Sequence, residues 1–502
     1  MTTHILLAAV SSLVISLLPG GVASAAASSQ TIIWAPCPED TTAECGTLKV
    51  PVDWDTPGGA TVDVAVARRK TAIPDARVGS LVVNPGGPGG SGVDFVVHGS
   101  SYFSAELRGR FDIVGFDPRG VGRSHPVICS AALVRERPHP LIKNQTDMDA
   151  WVSFNQRLRE DCRARTGPLY DRVSSLDVAR DVEALRAALG DDKLTYYGVS
   201  HGTLIGQAYA ERFPGKVRAL ALDSNFDHSV NTASYLNTTA TQTAGAFDQF
   251  VTWCEATASC ALNGKDIRAF WKRLLERADR GELHEPGTPH VPMDAFTLVD
   301  TAFAGLYNPN WAELAQMLAA IDSDSTAMSA AKDDEVEVST PVFCQDFHLP
   351  VADYTEYASL LRRQAPRARD MRYSPPALSR IAGCLGQPTP IPNPQHRLRV
   401  DATPPILLAS SLNDPATGYL WTLSTAEQIG AEARVLTYEG SGHSVYGRSE
   451  CTMGAIDRYL ISQSVPADGV RCPQARPSIM PRIPYRLLDA IKLSASTRAA
   501  GW

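Results

Sequence analysis

Short apolar runs and amphipathic stretches alternate along the chain from about residue 46 to 225. Leu48 to Val52 and Thr61 to Ala67 have strand character. Gly79 to Asn84 is an apolar run entering a glycine-rich turn, and Phe111 to Phe116 is another, entering Asp117-Pro118-Arg119-Gly120. Ser175 to Leu189 places Val178, Val182, Leu185 and Leu189 on one helical face, with Ser175 to cap it and Gly190 to stop it. Leu194 to Val199 predicts a strand, Thr203 to Phe213 a helix and Val217 to Leu222 a strand. Such alternation predicts an α/β fold with a mostly parallel, doubly wound sheet.

The rhythm changes between residues 228 and 400. Helical stretches (Thr241 to Glu255, Ile267 to Ala278, Trp311 to Ile321, Tyr354 to Gln364) are joined by proline-rich connectors with few strand signals. Alternation then resumes: Pro405 to Ser410 a strand, Thr422 to Ile429 a helix, Arg434 to Tyr438 a strand, Cys451 to Ser462 a helix. The pattern reads as a core split into 26–227 and 401–473, with a helical cap inserted at 228–400. A cap over the carboxyl ends of the strands would cover the place where α/β sheets bind ligands. Residues 474–502 form a basic tail, with Arg476, Arg482, Arg486, Lys492 and Arg498 against Asp489.

Composition adds exclusions. The 502 residues are 44% hydrophobic and 20% charged, a globular balance. A net charge of −7 without Lys/Arg runs argues against a nucleic-acid partner. Ile5 to Leu18 is almost wholly apolar and too short to span a bilayer, and Ala23-Ser24-Ala25 has the A-x-A pattern of a cleavage site. Residues 1–25 therefore read as a signal peptide, although the stretch before the apolar run carries only His4 and no Lys or Arg. Secretion is the expectation, with no stable membrane insertion and a monomer by default. The ten cysteines include no C-x-x-C pair. In an exported chain they are expected to form disulfides, and proximity along the chain suggests Cys37–Cys45, Cys129–Cys162, Cys254–Cys260, Cys344–Cys384 and Cys451–Cys472, one of several possible connectivities.

The sharpest chemical signal is Gly198-Val-Ser200-His-Gly202 between a predicted strand and a predicted helix, the context of a nucleophile elbow. The turn would point the Ser200 hydroxyl out of the sheet, the flanking glycines would relieve the crowding, and the helix start would aim N–H groups at developing negative charge. A serine hydroxyl needs a base. Behind such an elbow the partners follow in the order acid, then histidine. His443, in Glu439-Gly-Ser-Gly-His443, lies just past the strand at 434–438, and Asp414 follows the strand at 405–410. Asp401 precedes that strand and Glu439 lies too near His443, so both are weaker acids for the role. The second oxyanion donor, beside the His201 N–H, is expected from Asn84-Pro-Gly-Gly-Pro-Gly-Gly-Ser-Gly92: Gly87, with Gly86 as the alternative. A phosphate loop is excluded because G-K-[ST] is missing. Asp117-Pro-Arg119-Gly reads as a structural turn in which Asp and Arg can pair. No metal or cofactor is implied.

With these residues in place the chain resembles the secreted tripeptidyl-aminopeptidase-like α/β-hydrolases of actinobacteria, relatives of proline iminopeptidases. The resemblance runs from about Trp34 to Pro473. It rests on Trp34-x-x-Cys37 and Cys45-Gly, the NPGGPGGSG run, GFDPRGVGRS, the A-R-D helix before the elbow, Asn413-Asp414-Pro-Ala-Thr, and Gly442-His443 followed by Cys451 and Cys472. It implies an α/β-hydrolase fold and a serine exopeptidase that releases short peptides from free N-termini under a helical cap. One position departs from the pattern. The residue after the serine is usually Tyr, and here it is His201, whose side chain is expected to face the pocket and bear on substrate preference. An aminopeptidase also needs acids to hold the substrate ammonium. Asp227, Asp248, Glu255 and Asp346 are the candidates. The competing function is an esterase, lactonase or amidase acting on small molecules, and a third is a silent binding protein on a hydrolase fold. Epoxide hydrolase and dehalogenase readings fail because their elbow nucleophile is Asp.

Overall fold

The computed structural model describes residues 31–99, 101–285, 288–322, 335–467 and 469–475. The signal peptide reading and nearly all of the basic tail lie outside these residues. Ten strands form one sheet: β1 (Ala35–Pro36), β2 (Glu44–Pro51), β3 (Thr61–Arg69), β4 (Gly79–Asn84), β5 (Phe111–Phe116), β6 (Leu194–Val199), β7 (Val217–Asp223), β8 (Ile406–Asn413), β9 (Ala433–Ser441) and β10 (Arg471–Cys472). Their spatial order is β1-β2-β3-β5-β4-β6-β7-β8-β9-β10. The pairs from β1 to β5 are antiparallel, and every pair from β5 to β10 is parallel. β5 and β6 are buried along their whole length, and β4 at every residue but Gly79, because helices cover both faces of a parallel sheet. Side chains alternate between two cores: Val82, Tyr196, Leu220 and Leu222 pack on one face. Leu81, Val83, Tyr197, Ala219 and Ala221 pack on the other.

Between β7 and β8 the chain is mainly helical. Thr232–Ala256, Ile267–Asp279, Ala295–Tyr307, Trp311–Asp322, Thr340–Asp346, Tyr354–Ala368 and Pro375–Cys384 are α-helices. Two helices in this stretch carry the site residues discussed below, and the Cys344–Cys384 disulfide joins them. All five disulfides suggested by proximity along the chain are present. Among the described residues no helix is long and apolar enough to cross a membrane.

Two local expectations need correction. The helix Ser175–Ala188 is capped by Ser174, whose hydroxyl accepts from the Asp177 N–H, and not by Ser175. The Ser175 hydroxyl instead donates to Asp346, at 2.7 Å. The turn from Asp117 to Ser124 is structural, and of its two arginines it is Arg123, with Nη1 3.7 Å from Asp117 Oδ2, and not Arg119 that pairs with Asp117. Asp117 accepts from Ser91 Oγ and the N–H groups of Val93 and Arg123. Arg119 reaches Asp181 in the helix Ser175–Ala188, with Nη2 to Oδ1 at 2.5 Å and both side chains fully buried. It also donates to the carbonyls of Pro51 and Val52 at the end of β2, and Trp54 Nε1 donates to Asp181.

This cluster ties the antiparallel edge of the sheet to the helix that precedes the elbow strand. Removing one partner leaves a buried charge, which costs about 3–5 kcal/mol, whereas an apolar pair of similar volume removes both charges together. Arg119→Leu should therefore lower unfolding free energy by roughly that amount. Arg119→Leu combined with Asp181→Leu should lose less than the single change. Urea unfolding at neutral pH measures both.

Candidate active site

Ser200 sits at the turn between β6 and the helix His201–Arg212, with φ 56° and ψ −122°. A non-glycine residue at positive φ costs on the order of 1–3 kcal/mol and persists only where its surroundings fix it. Here the Ser200 N–H donates to the Asp223 carbonyl at 2.9 Å, and the Ser200 carbonyl accepts from the Thr203 N–H and hydroxyl. Side chains are excluded around the turn. A Cβ on Gly202 would lie 2.7 Å from Asn84 Oδ1, and one on Gly86 would lie 2.2 Å from the Val199 carbonyl and 3.0 Å from the His201 nitrogen. The glycine-rich loop after β4 therefore packs directly on the elbow. Within that loop the Gly86 N–H is already committed to Asn84 Oδ1 at 2.9 Å. Among the described residues the Gly87 N–H has no acceptor.

Asp414 follows β8 and His443 follows β9, and the two side chains touch. His443 Nδ1 lies 2.9 Å from Asp414 Oδ2 and 3.0 Å from Oδ1. The N–H groups of Ala416 and Thr417 and the Thr417 hydroxyl also donate to Asp414. Burial alone would raise this carboxyl, but the His443 ring and those donors outweigh it and hold Asp414 below the usual carboxylate range. His443 Nε2 is buried and has no hydrogen-bond partner, so it is not bonded to the Ser200 hydroxyl. Contacts of this kind are often long before substrate binds. The two alternative acids lie elsewhere: Asp401 is exposed, and Glu439 pairs with Arg471 at 2.6 Å.

The loop carrying His443 is fixed from three sides. The Asp223 carboxylate accepts from the N–H groups of Val445 and Tyr446, from the Ser444 hydroxyl and from Tyr197. Burial nevertheless raises the Asp223 carboxyl. The Ser444 N–H donates to the Ser224 hydroxyl at 2.8 Å. Arg448, buried and lowered by that burial, donates to the carbonyls of His443 and Ser444. From the helical insertion, the Tyr307 ring lies 4.5 Å from the His443 ring, and the Tyr307 carbonyl accepts from the His443 N–H. None of Asp223, Thr417, Tyr307 and Arg448 emerges from the sequence reading. Thr417 lies within the Asn-Asp-Pro-Ala-Thr motif, and Asp223 is an acid ending an otherwise apolar strand, so both carried a signal.

His201 differs from its expected orientation. Its ring is buried, and Nε2 lies 3.1 Å from Asp346 Oδ2 in the helix Thr340–Asp346. Asp346 also accepts from the Ser175 N–H and hydroxyl and from Asn393 Nδ2. Burial would raise Asp346, and the His201 ring with these donors brings it below the ordinary value. Asp346 is therefore no free anchor for an ammonium. Asp227 is likewise committed to Ser229 and Gln428, and Asp248 to Arg268 and Arg369. Glu255 is exposed near the end of the helix Thr232–Ala256.

Fold and site geometry together define a class. Residues 79–447 match the α/β-hydrolase fold family, so the chain belongs to that family and is a serine hydrolase. It is 30% identical over 488 residues to the serine protease Hip1 of Mycobacterium tuberculosis, covering 88% of this chain and 91% of the relative. It is 28% identical to the tripeptidyl aminopeptidase of Streptomyces coelicolor, with 91% of this chain and 88% of the relative covered. A carboxylesterase B of Mycobacterium tuberculosis is 30% identical over 463 residues, with 86% of each chain covered.

The Asp346 cluster should make stability depend on pH. Its folded pKa is depressed, so the stabilisation is complete above the unfolded carboxylate pKa of about 3.9 and is lost as pH falls through the folded value. Asp346→Asn should melt below wild type at pH 7. The gap between their melting temperatures should stay constant from pH 7 down to about pH 5 and narrow only as pH falls further, toward 3 and below. Thermal melts across that range measure it.

Proposed function

We propose that the chain is an exported serine exopeptidase acting through an acyl-enzyme. The observation that carries this is the Asp414–His443 pair, with a buried and unpartnered Nε2, anchored through Asp223 and Ser224 to the same strand end that holds the strained Ser200 turn. In this reading Ser200 Oγ attacks the substrate carbonyl and His443 Nε2 takes the hydroxyl proton. Asp414 fixes the ring with Nδ1 protonated and stabilises the imidazolium. The Gly87 and His201 N–H groups receive the oxyanion. His443 then protonates the leaving amine, and a water attacks the acyl-enzyme by the same route in reverse. Gly86 is the weaker donor because Asn84 already occupies its N–H.

Export is supported by the A-x-A segment and the five disulfides. Release of short peptides from a free N-terminus is supported by the tripeptidyl aminopeptidase relative. One observation favours the esterase reading beside it. Asp248 and Asp346 are both engaged by neighbouring side chains, and a relative 30% identical to this chain is named a carboxylesterase.

A peptide anilide tested with its amino terminus free and then acetylated separates the two. An exopeptidase should prefer the free amine by about 1.5–3 kcal/mol in kcat/KM, the size of a charge-assisted contact. Ser200→Ala should lower kcat by at least about 10⁴-fold. Equal rates on the two anilides, with faster turnover of simple esters, would replace the peptidase reading by the esterase one and leave the role of Ser200 in place.

A further inference from the structure

Arg380 is a half-buried cation at the edge of this site that has no carboxylate partner. It lies on the helix Pro375–Cys384. Nη2 is 3.5 Å from the carbonyl of Gly87, and Nη1 is 3.0 Å from the Tyr235 hydroxyl. The guanidinium carbon stands 5.1 Å from the centroid of Phe343 and 5.5 Å from that of Phe226. Among the described residues no carboxylate lies within ion-pair distance of it, whereas Arg268 and Arg372 of the helical insertion are each paired with an Asp.

A guanidinium has five N–H donors in one plane. Two point at neutral oxygens, and those bonds and the ring faces offset only part of the cost of withdrawing the charge from water. The remaining donors match the geometry of a carboxylate, which arginine takes with two parallel bonds. The position is also specific. The Gly87 carbonyl that Arg380 touches and the Gly87 N–H proposed for the oxyanion belong to one residue. The cation therefore stands within about 10 Å of where the reacting carbonyl would lie, some three contact lengths. It is held there firmly, since the Cys344–Cys384 disulfide staples its helix to the one carrying Asp346, and Asp346 bonds to His201 at the elbow.

We infer that Arg380 is a specificity-determining residue that selects acyl substrates bearing a carboxylate on the unit that supplies the scissile carbonyl, as in a peptide cleaved after Glu or Asp. This rests on the acyl chemistry proposed for Ser200. It also reconciles the absence of a free acid near the elbow with a peptide substrate. Three extended residues span about 10 Å, so an N-terminal ammonium would lie well away from the guanidinium.

The test compares Ala-Ala-Glu anilide with Ala-Ala-Gln anilide. Binding is read by calorimetry on the Ser200→Ala protein at low salt, which makes the result independent of turnover, and kcat/KM is read on the unsubstituted protein. The Glu peptide should bind at least about tenfold more tightly. Arg380→Gln, whose amide can still donate to Gly87, should bring the ratio near one, and Arg380→Lys should keep part of it. Equal binding of the two peptides, or a preference that survives Arg380→Gln, would overturn the inference. So would an Arg380→Gln protein that loses both peptides in equal proportion, which would make the residue a support for the loop alone. If the Glu preference in binding holds but no anilide is cleaved, the peptidase reading falls and the anion subsite stands. Cleavage without the preference has the opposite meaning.

Discussion

The end of β7 is the point on which the site depends. Asp223 uses its main-chain carbonyl to hold the Ser200 N–H and its carboxylate to hold the loop that follows His443. Ser224, at φ 61°, adds its hydroxyl to the same loop and its N–H to the Ala409 carbonyl of β8. Two adjacent residues thus fix the strained serine turn, the histidine loop and the neighbouring strand relative to one another. A buried carboxylate is expensive, and burial raises its pKa here despite five donors. That cost is bearable because each donor is itself a group that would otherwise be buried without an acceptor. The arrangement locates two loops separated by more than two hundred residues in sequence without asking Ser200 and His443 to bond to each other.

Asp346 performs a comparable task between the helical insertion and the core. It bonds to the helix that precedes the elbow strand through Ser175, and to the elbow helix through His201. The His228 ring meets the Asp346 carbonyl, and the Cys344–Cys384 bridge begins two residues before it. The insertion is therefore bonded to the helix that begins directly after Ser200. This gives the unusual residue after the serine a physical role that sequence adjacency to the pocket did not suggest. In the proposed mechanism the backbone N–H of His201 receives the oxyanion, while its imidazole faces a buried carboxylate.

Much of the sheet is legible in the chain, because β4 to β7 are short apolar runs and their crossover segments have one apolar face. The order of residues singles out Ser200, Asp414 and His443, and the last two touch. Other features escape for identifiable reasons. The helix Gln145–Thr166 buries Met148, Trp151, Phe154, Leu158 and Cys162 on one stripe, but it is so polar otherwise that it reads as a connector. The helix Ala295–Tyr307 is apolar nearly all round, which blurs its stripe. Arg119 looks paired with Asp117 two positions away, and its true partner is Asp181, brought near by the sheet. Arg380 follows two prolines in a stretch with no motif, and nothing local connects it to Gly87, 293 positions earlier. Partners separated by hundreds of positions are set by topology, and topology is what a single sequence states least directly.

The charges around the site have a consequence for what it can bind. The carboxylates close to the reacting groups are Asp414, Asp223 and Asp346, and each is saturated by donors. The guanidinium of Arg448 is turned toward the carbonyls of His443 and Ser444, so its bonds are also filled. Among the described residues, Arg380 has donors to spare beside the glycine-rich loop. A cation in partly desolvated surroundings repels an ammonium and attracts an anion, and the effect weakens with distance and with access to water. A free amino terminus is thus acceptable only where the chain carries it away from Arg380. A negative group next to the scissile carbonyl is favoured. On the proposed exopeptidase reading, the length of peptide released and the charge of its last residue would be coupled features of one electrostatic layout, in which the amine must be remote for the carboxylate to be near.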